Sequence, residues 1–384
     1  MSKLLLVALS GFALYSIWYY SYITGLKDLG DATIEAKLAP GTKFPLRTVY
    51  TGLPLTDRLL TTLTVFFWPI ADAQDIGLFL HSFAFSGTFG AAWTLVSLES
   101  WRQGNIWTLA AFPMLPGLGC QVLTFAFVTP LYAAMQLATS ITAVKPTAHN
   151  TRIPRAILVA IPVVYTIGCQ VPGILMILPR SEWMTADLKQ LMIAIWQPWP
   201  AYVSILLTIS SVVLPAFLQE DNATPAGNRR YRTALRHAYA FTFGGVAVSH
   251  LVSVIIPLAS VVAPTLFQKS VLGDLHPFKV FETPRPWASP VPQLLSVAQG
   301  TKNFLRWDYI VGTVGTLVWA TTLYTTAHRN VYGRVDYVDL ARKVVPLTLL
   351  SGPVGAAVQL MWERDELLLQ TDGKPIVTAH KKGL

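Results

Sequence analysis

Acids are scarce in this chain, 20 Asp and Glu in 384 residues, and several stand near the ends of long apolar runs. They are Asp57, Asp72, Asp75, Glu99, Asp308 and Glu363. An ionisable group near membrane depth is costly to keep, so it is a functional candidate by default. Each also has a purely structural reading. Asp57 and Asp308 can cap helix N-termini. Glu99 can pair with Arg102 three residues on, along one helix face. Glu363 can pair with Arg364 in water.

Aromatic residues are the second chemical resource. Phe66-Phe67-Trp68-Pro69 closes one apolar run, and Phe79, Phe83, Phe85, Phe89 and Trp93 lie on the next. The spacings Phe79 to Phe83, Phe85 to Phe89 and Phe89 to Trp93 are each four residues, which makes two stripes on a helix. Trp196, Trp199 and Tyr202 form a later cluster. A lipid-facing belt or ordinary packing would use the same residues. The chemical reading is a cavity whose ring faces stabilise a carbocation. A desolvated acid beside such rings keeps its proton. It can then deliver that proton to an epoxide or an alkene.

A third pattern is Asp-x-x-Asp, present as Asp72-Ala-Gln-Asp75 and Asp336-Tyr-Val-Asp339. Two such pairs on one side of a membrane could hold Mg²⁺ against a diphosphate, which needs oxygen ligands and charge neutralisation. Both lack fuller Asp-rich surroundings. The usual nucleotide and metalloprotease motifs are missing, and the seven histidines show no metal-ligand spacing. No metal or other cofactor is expected. His81 and His250 fall inside apolar runs, where a lone His is more often an interhelical hydrogen bonder than a catalyst. Cys120 and Cys169 read as buried small hydrophobes.

The elements that must position these residues are helices in a bilayer. The chain is 53% hydrophobic and 13% charged, with mean hydropathy +0.47. Soluble domains carry about 25% charged residues. Its charge of +9 is better matched by anionic lipid headgroups than by nucleic acid, since Lys and Arg lie mostly between apolar spans. The expected fold is all-α: a polytopic transmembrane helical bundle of about nine spans in one integral membrane domain, residues 1–384. Residues 1–23 read as an anchor span rather than a signal peptide, because the run is long and ends in Trp18, Tyr19, Tyr20 and Tyr22. A polar connector follows over 24–55, helical spans over 56–265, a long Pro-rich loop over 266–307, spans over 308–363 and a polar tail over 364–384. Pro113-Met-Leu-Pro116-Gly117 breaks the run from Ile106 to Ile141. In a nine-span arrangement three short basic connectors share one side, suggesting that this side is cytosolic. They carry Lys145, Arg152 and Arg155; Arg229, Arg230, Arg232 and Arg236; and Arg329, Arg334, Arg342 and Lys343. Both Asp-x-x-Asp pairs fall in connectors on one common side of that arrangement. The sequon Asn222-Ala-Thr224 would then be cytosolic and silent.

Several segments together resemble a known group. They are Phe44-Pro-Leu-Arg47-Thr-Val-Tyr50-Thr-Gly52, then Asp57-Arg58-Leu-Leu, Phe66-Phe67-Trp68-Pro69 with Asp72, the span from His81 to Trp93, and Glu99-Ser-Trp-Arg102. Over residues 44–102 they resemble fungal membrane-bound terpene cyclases of meroterpenoid pathways, of the ascofuranone and macrophorin kind. The resemblance implies a farnesyl chain on a polar aromatic or cyclohexenone head, often epoxidised at its far end. A protein acid protonates the epoxide or alkene, internal alkenes or an oxygen trap the cation, and a proton is lost. On this reading Asp72 or Glu99 is the expected proton donor, with Asp57 and Asp308 behind them. Arg47, Arg102 and His81 would orient the polar head or set an acid's pKa. Phe67, Trp68 and Trp93 would line the cation path. The expected partners are the lipid bilayer and a prenylated small molecule, and the expected location is the endoplasmic reticulum. Two rivals remain. One is a Mg²⁺-dependent intramembrane prenyltransferase using the Asp pairs. The other is a small-molecule transporter or a non-catalytic membrane component, for which Gln121, Gln136, Gln170 and Gln359 could line a polar path.

Overall fold

The structure is a computed structural model, and it describes residues 1–218 and 224–370. Asn222 of the sequon lies outside the described residues. The described chain is helical, and its one recorded β-bridge is an isolated pair between Leu38 and Pro45. The principal helices are α1 (Ser2–Ile23), α2 (Leu26–Ala36), α3 (Pro54–Ala71), α4 (Ile76–Ser100), α5 (Met114–Leu123) and α6 (Phe125–Thr139). They continue with α7 (Arg155–Ile177), α8 (Ala186–Trp196), α9 (Trp199–Ala216), α10 (Pro225–Val262), α11 (Val297–Tyr332) and α12 (Tyr337–Gln370).

By length and composition, five helices among the described residues can cross a membrane: α1, α7, α9, α10 and α12. The pair α3 and α4, bent by 110° at the turn between them, brings the number to six. The expected count of about nine is higher, and the difference has local causes. The run from Ile106 to Ile141 is divided between α5 and α6, each too short to span. The two apolar runs that form α3 and α4 are long and apolar enough to cross only together, as one bent pair. The supposed span over 310–327 is the interior of α11, a 36-residue helix whose buried face carries Arg306 and Asp308.

Two expected boundaries are corrected. The loop assigned to 266–307 ends at residue 296, because Ser296 caps α11 by accepting from the Gln299 amide. The preceding prolines make a packed strap, with Trp307 donating its Nε1 to the Pro284 carbonyl at 3.0 Å. The polar tail assigned to 364–384 is wrong over 364–370, where α12 continues with Arg364 and Asp365 buried.

The helix α4 is apolar on nearly every face, and its last twelve residues are mostly buried. That is the pattern of a helix surrounded by others. It packs along α10 and also against α11 and α12. A second group joins α1, α6 and α11. The helix α12 is a hairpin, not a rod. Residues twenty apart on a straight helix lie about 30 Å apart, yet Lys343 Nζ meets Glu363 Oε2 at 2.5 Å. The reversal is at Gly352, whose φ of 73° belongs to the left-handed region glycine tolerates.

This hairpin settles the two ends of the bundle. Asp339 shares a cleft with Lys343, Glu363 and Glu366, beside Asp365, which pairs with Arg102 just past the end of α4. Asp75 caps the beginning of α4 by accepting from the Leu78 amide. The two Asp-x-x-Asp pairs therefore stand at opposite ends of α4, about 37 Å of helix apart. Their expected position on one side is corrected.

Candidate active site

A cavity of about 290 Å³ is bounded by α3, α4, α7, α8 and α10, with Leu305 of α11 at its wall. Four of the five aromatics on α4 line it: Phe79, Phe83, Phe85 and Phe89. Phe67 of α3, Tyr165 of α7, Trp196 of α8 and Phe241 of α10 complete an aromatic shell. Edge-to-face contacts set the rings, with Phe67 on Trp196 at 5.2 Å between centroids and Phe89 on Trp199 at 5.0 Å. Gly90 leaves the interior open, since a Cβ there would meet nothing within 4 Å. The polar groups at the wall are few: Ser82, Ser86, Thr94, Tyr165, Gln170, Thr242 and Ser249, together with the thiol of Cys169. Ser82 Oγ is buried without a hydrogen-bond partner among the described residues. None of the lining residues is charged. An apolar, ring-faced chamber with few hydrogen-bonding groups suits a lipid-like chain that becomes cationic.

Of the candidate residues, Phe67 alone lines this cavity. Trp68 and Trp93, 0% and 1% exposed, are packed into the core. Trp93 stacks edge-to-face on Phe89 from behind, at 5.7 Å. His81 is buried against Tyr309 at 5.4 Å, behind Phe85. Arg47 is at the surface, where its Nη1 meets Asp187 at 2.6 Å.

The four acids have different fates. Asp57 clamps the loop before α3, accepting from the amides of Tyr50, Thr51 and Gly52 at 2.7–3.0 Å. It ties down the approach to its helix rather than capping it. Asp72 ends α3 and pairs with Arg180 at 2.6 Å. Glu99 belongs to a buried ionic network at the other end of α4. Its Oε1 accepts from Arg102 Nε at 2.5 Å and faces Arg364 Nη1 at 3.0 Å. Its Oε2 accepts from Thr142 and Gln136. Arg102 also reaches Asp365 at 2.9 Å, and Asp365 accepts from the Tyr239 hydroxyl at 2.8 Å. The i+3 pair of Glu99 and Arg102 is as expected, but it is one edge of a larger set. The expected surface pair of Glu363 with Arg364 is corrected: Glu363 holds Lys343 and Gln359, while Arg364 turns inward.

Asp308 lies inside α11, so it does not cap its own helix. It caps another one. Its Oδ1 accepts from the Ala126 amide at 2.6 Å, at the first turn of α6. It is buried, and no ion pair among the described residues includes it. The adjoining Phe125 ring separates it from the cavity wall, packing on Phe85 at 5.8 Å and on Phe89 at 5.1 Å. Phe125 is seated over Gly312, where a Cβ would come within 2.2 Å of the ring.

The Asp-x-x-Asp pairs carry structural duties. Asp336 Oδ1 accepts from the amides of Val338 and Asp339 at the start of α12. The Asp339 amide, then the Val338 amide, hold its carboxyl below the ordinary aspartate range. Among the described residues no three His, Cys, Asp or Glu side chains come together as a metal site.

Several contributors were not legible in advance. Arg364, Asp365 and Tyr239 join Glu99 only through the α12 hairpin. Tyr165 and Phe241 come from helices with no aromatic stripe. Gln170 was visible as an amide inside an apolar run, without its position at the cavity.

Comparison with known proteins places the chain. The CtvD domain family matches residues 2–369. The terpene cyclase ctvD of Aspergillus terreus is 32% identical over 375 residues, covering 95% of this chain and 99% of that one. The terpene cyclase ascI of Acremonium egyptiacum is 30% identical over 334 residues, covering 85% and 81%. The terpene cyclase penA of Penicillium crustosum is 27% identical over 368 residues, covering 93% and 94%. No solved structure matches. The likeness first visible over residues 44–102 thus runs through nearly the whole chain, and the chain belongs to the CtvD family of fungal terpene cyclases.

Proposed function

We propose that this protein cyclises a farnesylated meroterpenoid by protonating an epoxide or alkene at the far end of its prenyl chain. The observation that carries this reading is the uncharged aromatic cavity bounded by α3, α4, α7, α8 and α10. Its rings can stabilise successive carbocations without trapping them, because a ring face offers charge stabilisation but no lone pair to bond.

The proton donor we assign is Asp308. Asp72 and Glu99 are paired with cations, and Asp57 is held by three loop amides away from the cavity. Asp308 also accepts from an amide, that of Ala126, but lies next to the Phe125 ring that packs on the wall. Asp308 is buried beside the wall with no counter-ion, and such a carboxyl is the kind that holds a proton. Donation requires the Phe125 ring to move from between them. The proton passes from the Asp308 carboxyl to the epoxide oxygen, and the carbon–oxygen bond opens to a tertiary cation. An internal alkene attacks that cation, the sequence ends when a neighbouring carbon loses a proton to water, and Asp308 takes a proton back from water before the next turnover. The product is an isomer of the substrate, so no electrons or co-reactants enter. The enzyme works as an integral multi-pass protein of the endoplasmic reticulum membrane, with the end bearing Arg152, Arg236 and Lys343 toward the cytosol.

The test is an assay on microsomes from a host expressing the chain, given a farnesylated phenol epoxide. A product of unchanged mass is the expected outcome. Absence of any such product from either the epoxide or its unepoxidised parent would sink the reading.

A further inference from the structure

The cavity is buried at its centre but open on one flank. Among its lining residues Ser86 of α4, Gln170 and Ile174 of α7, and Gly245 of α10 are exposed. These residues lie on three helices; Gln170 and Ile174 are seven and three residues from the end of α7, whereas Ser86 and Gly245 lie deep within theirs. Gly245 is seventeen residues from the end of α10, and Ser86 is ten from the start of α4, so roughly 15–25 Å of helix separates them from those ends. Both α7 and α10 are long and apolar enough to span. The flank therefore faces hydrocarbon rather than water.

Two features make this flank a mouth. The first is empty space, for a Cβ at Gly244 or Gly245 would meet nothing within 4 Å, as at Gly90 inside. The second is a widened helical turn in α7 at Thr166–Gln170. Pro172 explains it: proline has no N–H, and its ring clashes with the carbonyl four residues back, at Gly168. The wide turn carries Gln170 outward. Its Oε1 accepts from the Thr166 hydroxyl at 3.3 Å, and its amide nitrogen has no partner among the described residues. An unpaired amide facing hydrocarbon is costly, so something with an acceptor belongs beside it.

We propose that the prenyl substrate enters sideways from the bilayer between α7 and α10. It goes in chain first and leaves its polar head at the lip, against the Gln170 amide and the Ser86 hydroxyl. This rests on the cyclase reading and deepens it. The order of entry fits the chemistry, since the reactive far end of the chain then reaches Phe85 and Phe89, the rings beside Phe125.

The experiment compares Gly245→Phe with Val261→Phe, which lies on the same helix, is 52% exposed and does not line the cavity. Steric room at Gly245 means the variant should fold, which its melting temperature checks. The expected result is a loss of about tenfold in kcat/KM for Gly245→Phe, with product ratio and saturated kcat near wild type, and no change for Val261→Phe. Gln170→Leu should raise KM for a substrate with a phenolic head but not for farnesyl epoxide lacking one. Wild-type kinetics in Gly245→Phe would overturn the lateral mouth while leaving the cyclase intact. If the wild type is itself inactive, the mouth is read separately with a prenyl chain bearing a diazirine, in phosphatidylcholine vesicles. Labelling within residues 166–177 that Gly245→Phe abolishes supports the route, and labelling elsewhere overturns it.

Discussion

At the scale of single residues, a carboxylate's partners decide its use. Asp308→Asn separates structure from chemistry well, because the amide oxygen can still accept from the Ala126 N–H while the transferable proton is gone. The expected outcome is normal expression with turnover lowered at least about a hundredfold, read by product formation under saturating substrate. Asp72→Asn should leave turnover intact, since it loses only a pair with a half-exposed Arg180. Glu99 is a different case. Removing its charge with Glu99→Gln leaves the buried Arg102 and Arg364 sharing Asp365 as their one remaining carboxylate, which costs about 3–5 kcal/mol. That variant should melt earlier in detergent, and any activity it loses should track the loss of folded protein. A Glu99→Gln protein that melts like wild type yet has no turnover would point to Glu99 as the acid.

At the scale of elements, α4 does most of the positioning. Its outer turns carry the ring residues of the cavity, and its last turn carries Glu99. Gly90→Leu should test the chamber directly. A side chain there meets open space, so the fold should be kept, while the chain's path through the cavity is blocked. The expected effect is a changed product ratio together with slower turnover, measured by chromatography of the isomers. The hinge in α12 gives an opposite expectation. Gly352→Ala places a Cβ at a φ of 73° and within 3.1 Å of the His250 ring, so it should destabilise the hairpin and with it the pairing of Arg364 and Asp365. The readout is a lowered melting temperature.

At the scale of the whole molecule, the two Asp-x-x-Asp pairs are kept apart by the length of α4, and each has a local duty in capping or pairing. A reaction needing both on one diphosphate cannot be assembled from them. Turnover of the farnesylated epoxide should therefore be unchanged by EDTA, and added Mg²⁺ should not raise it. The basic connectors expected on one side do gather at one end, where Arg152 lies over the Tyr231 ring, Arg232 reaches the Leu369 carbonyl and Arg236 pairs with Glu366. Protease access to an epitope placed after Arg334, in sealed microsomes, reports whether that end faces the cytosol.

The sequence by itself determined the helical class, the apolar runs, the stripes of rings on α4 and the family. These depend on composition, on a repeat of 3.6 residues and on local motifs, all of which are written along the chain. The places where the apolar runs break and turn back, the fate of each acid and the cavity were decided by the tertiary structure. Glu99 looked like a candidate acid because its nearest visible neighbour was Arg102. Its second cation, Arg364, is 265 positions away and arrives only because α12 turns back at Gly352. Asp308 looked like a cap for its own helix and is a cap for α6, whose first turn is nearly as remote in sequence. Periodicity reports which face of a helix is buried. It carries no record of which remote helix will lie against that face, and the chemistry of a buried carboxyl is set by that neighbour.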